Sequence, residues 1–151
     1  MTRTAIEIVG VVAVILSLVF VGIELRNNTE AVKADNHYSL LDLSFTQQLV
    51  ILEDPELSAI LSKVLSGDTS SLTTEQQFRG NLMREQLFNM WEVSFYNARS
   101  RQLEAEITIA LDNYYQRLLT TSTVEWWNDN SASYGESFQL HVNSIIEDGG
   151  A

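Results

Sequence analysis

Between Glu7 and Glu24 the chain carries no charged residue, and Ser17 is the only polar side chain. A bilayer hydrocarbon core about 30 Å thick needs about 20 helical residues. Ile6 to Leu25 meets that length if Glu7 and Glu24 sit among the headgroups. Val, Ile, Leu and Phe dominate the run, so a helix made from it is apolar on every side. Such a helix belongs in a membrane or at the centre of a large protein. A chain of 151 residues is too short to surround it with other helices. The expectation is a transmembrane anchor over residues 1–26, in contact with membrane lipid, and a soluble domain over residues 27–151.

A cleaved signal peptide has a basic start, a shorter apolar centre and a small-x-small cleavage site. Met1-Thr2-Arg3 is a thin basic start, and no A-x-A-like site closes the run. Glu24-Leu25-Arg26-Asn27-Asn28-Thr29 reads as continuing helix, so an uncleaved anchor is expected. Arg3 precedes the span, while Arg26 and Lys33 follow it. By the positive-inside rule that balance points to a cytoplasmic C-terminal domain. The absence of cysteine is consistent with a reducing compartment.

The net charge is −11. Arg3 and Arg26 cancel Glu7 and Glu24, so the whole excess lies beyond the anchor. A surface of that sign repels phosphates, which argues against nucleic acid as a partner. The acidity is read as keeping the domain soluble or reflecting a salty habitat, with a specific basic partner as the alternative.

No Gly or Pro occurs between Gly22 and Pro55, so the membrane helix is expected to run on to about Glu53. Along it, spaced three and four apart, lie Gly10, Ala13, Ser17, Phe20, Glu24, Asn27, Ala31, Ala34, Tyr38, Leu41, Phe45, Gln48 and Leu52. That repeat is the seam spacing of a coiled coil. Within the span the stripe is small, which allows close helix–helix approach. Glu7, one turn before Gly10, is either an end-of-span residue or a hydrogen-bonding group between subunits. The membrane interface is therefore assigned to Glu7, Gly10, Ala13, Ser17, Phe20 and Glu24. In the soluble half, Ala31, Ala34, Tyr38, Leu41 and Phe45 pack either on a second chain or on this chain's own helices.

Asp54-Pro55 starts a second helix, because Asp caps free N–H groups and Pro suits the first helical position. "PELSAILSKVLS" should end at Gly67. Thr73 or Thr74, with Gln76 or Gln77 three residues on, caps a third helix to about Arg101. A fourth covers about 103–121, Thr123 caps a short fifth, and a last helix covers about 135–147. The fold class is all-α: a transmembrane helix continuing into a long helix, followed by a small bundle.

"IVGVVAVILSLVFVGIELRNNTEAVKA", "LEDPELSAIL", "FNMWEVSFYNARSRQLEAE" and "WW" together resemble a group of uncharacterised small bacterial membrane proteins. The shared features are Ile23 to Thr29 at the end of the span, the Glu53 to Leu57 turn and the Phe88 to Glu92 pattern. The resemblance implies a bacterial origin, and with it the inner membrane. It implies no chemistry.

The chain has two histidines, His37 and His141, and no cysteine. Neither histidine sits in an E-x-x-H pair, so zinc and di-iron carboxylate patterns are missing. No nucleophile elbow, P-loop or dinucleotide fingerprint is present. No cofactor, metal or catalytic activity is expected. Asn89 and Glu92, in an aromatic-rich helix, form either an internal polar pair or a ligand contact. Trp126 and Trp127 point in different directions. Both are core residues, or one reaches a partner or the headgroups. The function expected is a scaffold that self-associates through its long helix. The alternatives are an accessory subunit of a larger membrane complex and a sensor or enzyme with a pocket inside the bundle.

Overall fold

The computed structural model describes residues 3–149. Met1 and Thr2 of the expected anchor, and Gly150 and Ala151 of the expected domain, lie outside the described residues. Among the described residues every regular element is helical. In chain order they are α1 (Arg3–Glu53), α2 (Pro55–Ser66), α3 (Thr74–Arg99), α4 (Ala105–Gln116), α5 (Thr121–Asn130) and α6 (Glu136–Gly149), with a 3-10 turn at Ser131–Ser133. The all-α architecture, a long first helix followed by a smaller helical bundle, is as expected.

The 51 residues of α1 form one unbroken helix, about 75 Å long at 1.5 Å per residue. Ser17 Oγ donates to Ala13 O and Thr29 Oγ1 to Leu25 O, both at 2.9 Å, so each hydroxyl is satisfied within its own turn. The helix stops where Asp54 turns extended (φ −113°, ψ 102°), as the residue before a proline prefers. Asp54 Oδ1 accepts from Glu56 N at 2.9 Å and Leu57 N at 3.2 Å. Ser58 Oγ reaches back to Ile51 O and ties the corner together.

α2 ends at Gly67, whose φ of +82° is left-handed. Its last carbonyls are satisfied from outside the helix. Ser122 Oγ donates to Val64 O at 3.0 Å, Thr120 Oγ1 to Leu65 O, and Arg84 Nη2 to Val64 O. Arg84 Nη1 also donates to Ser122 O at 3.2 Å. A buried guanidinium therefore sits at the negative end of α2 and joins α2, α3 and the start of α5. Burial lowers the Arg84 pKa, but an arginine still stays charged. Gly80 lets α2 and α3 approach: a Cβ there would lie 3.0 Å from Ile60 Cγ2 and closer still to Val64 Cγ2.

Three expected boundaries move. α3 begins with a Thr73–Gln76 capping box but ends at Arg99, because Arg101 adopts a left-handed φ of 57°. Gln102 N then donates to Asn97 O at 2.9 Å and closes the helix end. α4 stops at Gln116, where Leu118 and Leu119 turn back onto Tyr115 and Gln116. The cap of α5 is Thr120, not Thr123. Thr120 is extended and its hydroxyl accepts from Thr123 N at 3.3 Å, which leaves Thr123 buried in the first turn. The Thr120 bond to Leu65 O fixes that choice.

The core centres on Phe88 and Trp91 of α3, packed with Tyr115, Trp127, Tyr134, Phe138 and Val142. Phe88 stacks on Trp127 at 4.9 Å, and Trp91 stacks on Tyr115 at 5.1 Å. Both indole N–H groups are satisfied: Trp91 Nε1 donates to Asp112 Oδ1 at 2.8 Å and Trp127 Nε1 to Asn143 Oδ1 at 2.9 Å. Burial pushes the phenols of Tyr115 and Tyr134 well above the ordinary tyrosine value, with neighbouring Glu85 and Glu92 adding to the shift at Tyr134.

Gly80→Ala should destabilise the bundle by about 1–3 kcal/mol through forced separation of α2 and α3, although alanine is the better helix former by about 1 kcal/mol. Chemical unfolding in detergent measures it. Alkaline titration checks the phenols. Unfolding releases their protons once pH passes the unfolded tyrosine value near 10, so their contribution is complete below that pH and is lost above it. Of the five tyrosines, Tyr115 and Tyr134 should ionise only together with loss of the near-ultraviolet circular dichroism. Replacing both with Phe should remove that late phase.

Candidate interaction surface

α1 meets the bundle along one seam only. Among its described side chains just Leu40 is buried. Lys33, Asn36, His37, Ser44, Gln47 and Ile51 are half-buried on the same face as Leu40. Two polar ties hold the seam to the α3–α4 connection. Lys33 Nζ donates to Glu104 Oε1 at 2.8 Å, and Asn36 Nδ2 to Gln102 Oε1 at 3.4 Å. The bond to Glu104 raises the Lys33 pKa, and Glu30 adds to it.

The soluble stripe is largely uncovered by this chain's own helices, with Leu41 and Phe45 edging a hollow shared with α4. Ala31, Ala34, Tyr38, Leu41 and Phe45 are all exposed, Tyr38 at 68% and Phe45 at 58%. Leu49 and Leu52 continue the exposure. The inward seam is His37, Leu40, Ser44 and Gln47, one residue before each of Tyr38, Leu41, Phe45 and Gln48. It is the more polar of the two faces. Its continuation one turn earlier, Lys33 and Asn36, supplies the hydrogen bonds to Glu104 and Gln102, and the aromatic and leucine side chains are left outside. The fit is imperfect, since Gln47 Nε2 is buried with no partner.

Apolar hollows flank the seam. One, of about 360 Å³, lies between α1 and α3–α4 and is lined by Leu41, Phe45, Ile107, Ala110 and Tyr114 among others. Another, of about 310 Å³, opens on the other side beside Val50, Leu57, Leu82 and Leu87.

Nearer the N-terminus, Glu7, Gly10, Ala13, Ser17, Phe20 and Glu24 are likewise exposed. A Cβ at Gly10 would meet nothing within 4 Å. Glu7 is paired within its own helix, with Arg3 Nε 3.3 Å from Oε1. Among the described residues α1 is the one helix long and apolar enough to cross a membrane, and the rest of the chain covers none of its apolar segment.

The remaining candidates separate. Asn89 is exposed on α3 and makes no described side-chain hydrogen bond. Glu92 instead accepts from Gly135 N at 2.7 Å, placing a carboxylate at the start of α6, where the helix dipole favours it. Asn89 and Glu92 are thus not an internal pair. A Cβ at Gly135 would collide with the Tyr96 hydroxyl, so the glycine admits Glu92 to that backbone. Trp127 is fully buried. Trp126 is half-buried against the same core, with the Arg84 guanidinium 5.7 Å from its ring centre.

His141 Nε2 lies 3.1 Å from Asp112 Oδ1, the oxygen that also accepts from Trp91. The described hydrogen bonds bring no hydroxyl nucleophile to this pair. Among the described residues no three His, Cys, Asp or Glu side chains gather as a metal would need. Sequence reasoning passed over Arg84 and Asp112. An arginine among apolar helix positions and an aspartate one helical turn before Tyr115–Gln116 carry no local signal of tertiary pairing. No protein-family model, curated protein or solved structure matches the chain.

Glu92→Gln should cost about 1.5–3 kcal/mol, the range for hydrogen bonds to charged groups. Asn89→Ala should stay within about 0.5 kcal/mol. Parallel chemical denaturation of the two variants distinguishes them.

Proposed function

We propose that this protein is a bacterial inner-membrane scaffold, held by the first half of α1, that self-associates through the same helix and carries out no catalysis. Its bundle lies on the cytoplasmic side, by the balance of Arg3 against Arg26 and Lys33. The observation that carries the proposal is the exposed stripe along α1, small in the segment near Gly10 and apolar from Tyr38 to Leu52. Exposed apolar patches of this extent mark interaction surfaces. An all-round apolar helix with nothing of its own chain against it has lipid as its natural solvent.

A second reading is an accessory subunit of a larger membrane complex. The two hollows on opposite flanks of α1 favour it, because one symmetric contact covers a single flank.

Native mass spectrometry of gently extracted, tagged protein tests both. Integer multiples of the 17.0 kDa chain support self-association. A fixed stoichiometry with other chains supports the accessory role. A lone chain at every concentration overturns the scaffold.

A further inference from the structure

We infer that a second copy of this chain lays its own α1 parallel and in register along the Tyr38–Leu52 stripe, seated in the groove between α1 and α4. This rests on the self-association reading and specifies its geometry.

Lipid does not reach this part of the stripe. At 1.5 Å per residue, Tyr38 lies about 20 Å beyond Leu25 and Leu52 about 40 Å beyond it. Headgroup layers add only roughly 5–8 Å to each side of the hydrocarbon core. The occupant is therefore protein.

The stripe itself selects a second copy. Between Ala31 and Leu52 it contains no charge, in a chain of net charge −11. Interface cores show that same depletion. Two copies anchored in one bilayer through the same helix are forced parallel, with identical residues at identical heights. Tyr38 then faces Tyr38 and Phe45 faces Phe45, as core positions do in a parallel coiled coil. Asn27 and Gln48 are polar members of the seam, and a polar core residue fixes register.

The 3.5 spacing explains the groove. Such a stripe drifts about 20° per heptad around a straight helix. It begins on the side away from the bundle and turns towards α4 as it rises. By Leu41 and Phe45 it has reached the hollow of about 360 Å³, which both residues line together with Ile107 and Tyr114. A partner helix following the same left-handed path meets α4 there and fills a space that α1 alone leaves open. The two aromatics, the leucines and Tyr114 offer roughly 600 Å² of apolar side chain per copy, close to the roughly 800 Å² per partner of a standard interface once the lower helix adds its share.

The chain has no cysteine, so single substitutions report on neighbours directly. Tyr38→Cys and Phe45→Cys, in full-length protein in native membranes, should form disulfide-linked homodimers on mild oxidation. Leu43→Cys and Val50→Cys, on the opposite flank, should cross-link at least about fivefold less, because only Cα pairs within about 7 Å can bridge. Ala110→Trp fills the groove from α4 and should reduce the Phe45→Cys dimer at least about threefold by steric exclusion. Cross-linking that peaks at Leu43 or Val50, or is unchanged by Ala110→Trp, overturns the geometry while an oligomeric mass leaves self-association standing. Adducts at Tyr38 and Phe45 with a different chain overturn the second copy as occupant. No adduct anywhere, with the mass of one chain, overturns both.

Discussion

Among the described residues nothing covers the apolar surface of α1 from Ile8 to Leu25, and the rest of the structure depends on where that surface goes. Burying one such side chain is worth about 1.5–3 kcal/mol. Over the whole run the exposed total exceeds the 5–15 kcal/mol that typically holds a domain together. The bundle does not supply the cover, so on the proposed reading lipid does. An unbroken α1 then sets the height and direction of everything attached to it.

The bundle is organised so that α1 stays a rod and is not drawn into the core. The aromatic centre is built by α3 to α6 around Phe88 and Trp91, without a contribution from α1. The end of α2 is fastened to α3 and α5 by Arg84, Thr120 and Ser122. Glu92 fastens α6 to α3 at Gly135. α1 is attached through a mainly polar seam and the Lys33–Glu104 pair, a link worth little when exposed. The apolar side of the rod is left facing outward, an inversion of the usual amphipathic arrangement. That inversion is the physical content of the proposed interface.

Local signals were legible in the sequence. The Asp54-Pro55 corner and the Gly67 stop each rest on a few adjacent residues and form as read, and of the two threonines offered as cap it is Thr73 that closes a box with Gln76. The unbroken length of α1 followed from the absence of Gly and Pro. What depends on distant partners was hidden. Thr120 outcompetes Thr123 as a cap because Leu65 O lies 55 residues away in sequence. Arg101 takes a left-handed turn with no glycine to announce it. Asn89 and Glu92 share a helix, yet only Glu92 turns towards α6. Phe78 and Leu82 keep helical spacing with the core residues of α3 but stay exposed, because α2 covers that end of α3 on its Gly80 face and both side chains point away from it. The stripe on α1 was visible as spacing, whereas its outward direction required the seam of His37, Leu40, Ser44 and Gln47 to be seen.

The most direct test of the account is alkaline carbonate extraction of membranes from cells expressing the full chain. A helix seated in hydrocarbon is held by its apolar surface, and high pH does not weaken that hold even as Tyr115 and Tyr134 ionise and the bundle opens. The account predicts that the chain stays with the pelleted bilayer. Release of the intact chain into the supernatant would contradict it, and α1 would then have to be covered by protein along its whole length.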